Sequence, residues 1–396
     1  MLSAHIKTKA CELGFDLVGI TSAAPLTHAG RYRAWVAQGF AGDMGYMCRD
    51  VEKRADPTQV LPGARSVVVV GMNYHTAPAA PADVRGRGWI SCYAWGEDYH
   101  LVMGRKLEAL VAFIRHLIGP DVQARWYVDT GPILERELAW RAGLGWLGKH
   151  TNLINRRLGS WLFLGGILLD RELDHDVPAT AHCGTCTRCL DACPTGALVA
   201  PGVLDSRRCI AYLTIELRGA IPRELRPLMG THIFGCDICQ AVCPWNRRAP
   251  EATESTFWPR AGYAAPELIP LLSLAEAEFR VRFRGSPIMR AKRRGFLRNV
   301  AVALGNLQDP RAIPALQAAL RDPEPLIRSH AAWALGRIGG NAAREMLGAV
   351  LDTEPDVDVR QEIIWALAEI TASEGEFPAS AEQAWMSTPS PEPGEV

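Results

Sequence analysis

The chain carries no excess of charge: Lys plus Arg and Asp plus Glu each number 43 in 396 residues. A balanced total marks no nucleic-acid or membrane partner, so any such signal has to be local. A run of 18 uncharged apolar residues is also missing. The longest apolar stretch, Trp161 to Leu169, is about half a membrane span. The opening Met1-Leu2-Ser3-Ala4-His5-Ile6-Lys7 leads into no unbroken apolar segment of the kind a secretory signal needs. These absences predict a cytoplasmic protein without a membrane partner. In that compartment the 11 cysteines are not expected to form disulfides, because the cytosol keeps thiols reduced. Clustered cysteines there point to metal.

What is present divides the chain. Residues 1–178 read as an α/β domain. Ser66-Val67-Val68-Val69-Val70-Gly71-Met72 is a β-branched run closed by glycine, hence a buried strand. Trp161 to Leu169 is a second strand candidate. Apolar residues at 101, 103, 107, 110, 111, 114 and 117 mark one helical face, and Ile133 to Ala142 suggests another helix after Gly131-Pro132. Residues 179–250 hold eight cysteines, and residues 251–285 read as a polar connection. Within 286–371, Leu304-Gly305, Leu335-Gly336 and Leu367-Ala368 recur at steps of 31 and 32, separated by Asp-Pro or Asp-x-Asp turns. That period predicts a helical-hairpin solenoid resembling HEAT repeats, with a plain helical bundle as the alternative. The Pro-, Ser- and Glu-rich tail from 372 is expected to be disordered.

The cysteines carry the strongest chemistry. Cys183-x2-Cys186-x2-Cys189-x3-Cys193-Pro194 has the bacterial ferredoxin spacing, in which three closely spaced thiolates wrap one [4Fe–4S] cluster and the fourth reaches a second. A second run, Cys236-x2-Cys239-x3-Cys243-Pro244, lacks its first cysteine, and Cys209 is the spare that completes eight. Crossed ligation then predicts Cys183, Cys186, Cys189 and Cys243 on one cluster and Cys193, Cys209, Cys236 and Cys239 on the other. A four-cysteine zinc site, the rival, shows two CxxC pairs across a longer loop instead. Two neighbouring clusters make an electron path, which needs something to reduce at its end.

The first domain offers Tyr93-Ala94-Trp95-Gly96-Glu97-Asp98-Tyr99-His100, then Asp129-Thr130-Gly131-Pro132, then Gly145-Trp146-Leu147-Gly148-Lys149. Asp129 stands before a helix, where a carboxylate is either a cap or an acid. The glycines at 145 and 148 let a large ligand approach the backbone, and the stretch is not read as a dinucleotide or ATP loop. These motifs, the eight cysteines and the repeats, in this order over residues 1 to about 370, resemble the epoxyqueuosine reductases, relatives of the corrinoid reductive dehalogenases. The resemblance implies a cobalamin between the first and the cluster domain, two [4Fe–4S] clusters feeding it, and removal of the epoxide oxygen of epoxyqueuosine at the wobble position of tRNA. It implies Asp129 as proton donor, and Arg54, Cys92, Asn152 and Ser160 as corrin contacts. Asp98-x-His100-x3-Gly104 is one residue longer than the Asp-x-His-x-x-Gly cobalamin motif, so His100 is not expected to ligate cobalt.

Residues 278–300 hold Arg280, Arg282, Arg284, Arg290, Lys292, Arg293, Arg294 and Arg298 against Glu278 alone. With a tRNA substrate implied, Lys292, Arg293, Arg294 and Arg298 are expected to contact phosphate rather than form a merely solvated face. A monomer served by an unidentified electron donor is expected. The alternatives are a reductive dehalogenase acting on a small organic substrate, against which the repeats and basic cluster argue, and a non-catalytic iron–sulfur carrier, which leaves the first domain without a role.

Overall fold

The computed structural model describes residues 1–76 and 85–375. Strands β1 (Leu17–Ser22), β2 (Ser66–Asn73), β3 (Ala124–Tyr127) and β4 (Leu162–Leu169) form one sheet in the order β1-β2-β4-β3. All three pairings are antiparallel, with Val68 opposite both Ile20 and Ile167. The valine run is continuous because β2 is buried on both faces. Val68 and Val70 pack with Ile6, Leu107 and Ile114 on one side, from helices α1 (Leu2–Glu12) and α2 (Tyr99–Ile118). Val67 and Val69 pack with Ile133, Leu138 and Ala139 on the other, where helix α3 (Glu135–Arg141) lies. The α/β reading therefore describes two helical layers around an antiparallel sheet. Helix α2 starts where Asp98 accepts the His100 N–H at 3.0 Å, and stops at Gly119, whose φ is 141°.

The cysteine segment joins this domain through a strand pair. Trp89–Ile90 runs parallel to His232–Phe234. Helix α4 (Ile210–Ile215) follows Cys209. Residues 251–285 correct the expectation of a polar connection: Phe257, Tyr263, Leu268, Leu271, Leu272, Phe279 and Phe283 are all buried in the main core. Aromatic and leucine positions are interleaved there with Pro and charged residues, so mean polarity conceals a packed segment.

The repeats consist of α5 (Lys292–Leu307), α6 (Ile313–Ala319), α7 (Pro325–Ile338), α8 (Gly340–Leu351) and α9 (Val357–Gly375). Helices α5, α7 and α9 pack side by side in series. A Cβ on Gly305 would stand 2.9 Å from the Ala334 Cα, and one on Gly336 would stand 2.8 Å from the Ala366 Cα. The recurring glycine is thus where successive helices touch backbone to backbone. Arg328 donates to the carbonyls of Asp322 and Pro323, and Arg360 to those of Glu354 and Pro355, so one residue type clamps the same turn in successive units. Helix α9 carries the chain past 371 to Gly375; the rest of the expected tail lies outside the described residues.

Candidate functional site: an exposed acid and two cysteine tetrads

The eight cysteines converge as two groups. Cys183, Cys186, Cys189 and Cys243 line a cavity of about 270 Å³ with Lys149, His150 and Trp245. Cys209 feels the charge of Cys193, and Cys236 and Cys239 feel both. Among the described residues no three His, Cys, Asp or Glu side chains converge on a single ion. Thiols spread around a cavity suit a cubane, which takes its ligands at separate corners, better than a tetrahedral zinc with every sulfur about 2.3 Å from one point.

The Asp129 turn belongs to the first domain and shares Arg136 with His150 of the first cavity, since the charge of Arg136 reaches both. Asp129 follows β3 with φ at 56°, and the Thr130 N–H closes onto the Val128 carbonyl at 2.5 Å. This is a γ-turn of the rare positive-φ form, a strained conformation for a residue with a Cβ, costing about 1–3 kcal/mol. Arg54 holds the turn from behind, donating to the Gly131 carbonyl at 3.1 Å and the Tyr46 carbonyl at 3.2 Å. Protein surrounds Asp129 on most sides, yet its side chain keeps 64% of its accessibility, so the carboxylate is enclosed but still reached by solvent.

Two side chains meet this carboxylate. The Tyr99 hydroxyl donates to Oδ2 at 3.0 Å, and His100 Nε2 stands 3.5 Å from the same oxygen. His100 Nδ1 bonds Asp98 at 2.7 Å. Enclosure alone would raise the Asp129 carboxyl, but His100, Tyr99 and the charge of Arg136 outweigh it and hold it below the usual carboxylate range. Burial would lower His100, and its bonds to Asp129 and Asp98 overcome this and carry it up to about 9. At neutral pH the resting pair is therefore imidazolium and carboxylate.

The other expected contacts are placed less openly. Asn152 is half-buried. Ser160 is buried, and its Oγ takes bonds from Asn246 and Gln240. Cys92 is buried, its backbone N–H donating to Asp237, which also accepts from Ser91 and Trp89. Sequence reasoning missed Tyr99 and His100 as partners of Asp129; Asp98 and His100 flanking a helix start was the available signal. It also missed His150, buried at the lining of the first cysteine cavity, with Nε2 unpartnered and its pKa pushed by burial down to about 4. Gly143 to Gly148 does carry GxGxxG spacing, and Gly148-Lys149-His150 resembles a P-loop end with His for Ser or Thr. Here the glycines follow helix α3 and enter the strand Trp146–Leu147, the reverse of the strand-to-helix order that binds phosphates.

Arg298 is corrected as a phosphate contact. It is fully buried, donating to the carbonyls of Leu213, Leu217 and Gly219 and to Asn299, and so ties α5 to the cysteine domain. Burial and the neighbouring arginines push it down to about 9. Arg293 is only 13% exposed and is paired with Asp322. Lys292 is exposed and Arg294 half-exposed.

Fold and site together define a two-cluster iron–sulfur oxidoreductase with an acid cleft and a helical-repeat domain. The family models described as "4Fe-4S double cluster binding domain", "Epoxyqueuosine reductase QueG, DUF1730" and "HEAT repeats" match residues 182–246, 54–130 and 288–368. The epoxyqueuosine reductase of Xanthomonas campestris pv. campestris is 46% identical over 85% of this chain and 96% of its own, and that of Escherichia coli is 44% identical over 85% and 89%. A crystal structure of an epoxyqueuosine reductase with an epoxyqueuosine-modified tRNA-Tyr stem loop superimposes with a TM-score of 0.88 at 33% identity, covering 93% of this chain and 99% of the other. The Bacillus subtilis enzyme, solved with its catalytic aspartate loop swung out of the active site, gives 0.87 over the same shares. This chain belongs to the epoxyqueuosine reductase family.

Proposed function

We propose that this protein reduces epoxyqueuosine to queuosine in tRNA, with electrons passing through two [4Fe–4S] clusters to a cobalamin and Asp129 as the proton donor. The observation that carries the reading is the solvent-reachable carboxylate of Asp129, held in a strained turn in a chain of this family that also carries two cysteine tetrads. The residues present fit a large polar cofactor: His150 Nε2 and Arg54 Nε are buried and unpartnered, and His150 lines the first cysteine cavity within reach of the charge of Arg136. Arg54, Cys92, Asn152 and Ser160, with Asp129, are the residues assigned to hold the corrin. When bound, that group supplies a low-potential nucleophilic metal centre able to open an epoxide.

The residues of this chain manage the protons. Converting an epoxide to an alkene and water takes up two electrons and two protons. The oxygen leaving carbon is strongly basic and must be protonated in place, a task worth roughly 10²–10⁴ in rate. In the resting cleft Asp129 is a carboxylate beside a cationic His100. When cofactor and substrate displace water, the charged pair loses solvation, and a proton moving from His100 to Asp129 relieves the cost of two enclosed charges. Asp129 then presents an acid to the oxygen, and Tyr99 keeps it aimed. The test is nucleoside analysis of epoxyqueuosine-containing tRNA after anaerobic turnover with cobalamin-loaded protein. Queuosine is expected, and Asp129→Asn is expected to lower its yield by roughly 10²-fold or more while iron content and cobalamin binding stay. Conversion by the Asn variant near the wild-type rate removes Asp129 as donor.

A further inference from the structure

A turnover consumes two protons, and Asp129 delivers one at a time. His100 accounts for one refill. The source of the second is a question that the residues around Asp129 answer.

Glu135 opens helix α3, six residues after Asp129, and the two carboxyl groups sense each other's charge. Its Oε1 is buried and has no hydrogen-bond partner. An ionised carboxylate oxygen left so is costly, whereas a neutral acid carries far less desolvation penalty. The titratable and charged groups that Glu135 senses are Asp129, Tyr99 and Arg136. Arg136 is its chain neighbour and already donates to the Thr151 carbonyl at 2.8 Å and hydroxyl at 3.2 Å. Its charge still favours the ionised form of Glu135, but less than burial and Asp129 oppose it.

We propose that Glu135 is a proton reserve acting through Asp129, holding the second proton that each turnover consumes. Burial first, and the charge of Asp129 second, carry its carboxyl up to about 8, above what the Asp129 N–H and Arg136 take away. The resting cleft then stores two protons around one ionised donor, on His100 and on Glu135, matching the demand of the reaction. After Asp129 has given its first proton to the departing oxygen, it is again an anion beside a neutral acid. Passing the Glu135 proton across leaves Glu135 ionised and Asp129 neutral, ready to protonate the hydroxide equivalent as water leaves; two electrons enter through the clusters, and atoms and charge balance. Bulk water reprotonates Glu135 after product leaves.

This rests on the proposed reductase activity, so its test has an arm that needs no turnover. Infrared difference titration of the protein without cobalamin should show a protonated carboxylic acid at neutral pH that ionises near pH 8, and Glu135→Gln should lack it. The Gln side chain keeps the shape, so iron content and tRNA binding should match the wild type while turnover falls roughly tenfold or more. The alkaline limb of kcat/KM near pH 8 should vanish in the Gln variant and return in Glu135→Asp. An infrared signal that survives Glu135→Gln, or a variant with wild-type kcat and pH profile, overturns the proposal. If wild-type protein makes no queuosine, the reductase reading fails instead, and the infrared arm alone then decides whether Glu135 stores a proton.

Discussion

His100 joins two carboxylates with one ring, Nδ1 lying 2.7 Å from Asp98 and Nε2 3.5 Å from Asp129. The Nδ1 contact is a hydrogen bond and the Nε2 contact a charge pair without one, and a ring set between two carboxylates in this way is favoured as imidazolium. The folded state therefore holds a proton that the unfolded chain, with His near 6.5, releases around neutrality. The stability this contributes is fully present below pH 6.5 and is lost as pH rises through about 9. The melting temperature of wild type should thus fall relative to that of His100→Gln between those values. Parallel melting curves over that range would remove the charged bridge.

Iron content tests the tetrads. Cys209 is the only cysteine near Cys193, Cys236 and Cys239 outside the two spaced runs, and the described structure offers no substitute, since Cys92 is buried under Asp237 and Cys11 and Cys48 are exposed elsewhere in the first domain. Anaerobic wild type should bind about eight iron atoms, and Cys209→Ala about four. Full iron in that variant contradicts the crossed grouping.

The repeat glycines are a packing test. Gly336→Ala would set a Cβ 2.8 Å from the Ala366 Cα, which is backbone and cannot rotate aside. Separating α7 from α9 should cost about 1–3 kcal/mol, more than the helix propensity of about 1 kcal/mol that alanine returns. The denaturant midpoint should drop. Gly348→Ala, at an open position on α8, should raise it slightly or leave it unchanged.

These results show which parts of the molecule a sequence states outright. The valine run of β2, the face of α2 and the cysteine spacings are local patterns, and each was readable because one stretch of chain carries the whole signal. Arg298 was misread because its partners Leu213, Leu217 and Gly219 are distant in sequence, and a count of nearby charges does not report burial. The partners of Asp129 were hidden for a similar reason. Tyr99 and His100 come from the start of a helix some 30 residues earlier, and only the fold brings them to the γ-turn.

The corrected basic segment gives a sharper test of RNA contact. Changing Arg298 to Glu would bury an acid among carbonyl oxygens, so any loss of tRNA binding by that variant reports unfolding. Lys292 and Arg294 form no ion pair among the described residues and sit at the exposed start of α5. Arg282 and Arg284, exposed on the preceding segment, extend the same run of positive charge. Each residue that touches phosphate releases condensed counterions, lowering the slope of log affinity against log salt by about 0.7 to 0.9. The double variant Lys292→Glu/Arg294→Glu should keep its melting temperature and iron content, bind tRNA more weakly at low salt, and flatten the slope by between one and two contacts. Equal slopes in wild type and variant would mean that this face is solvated and that the anticodon stem is held elsewhere on the protein.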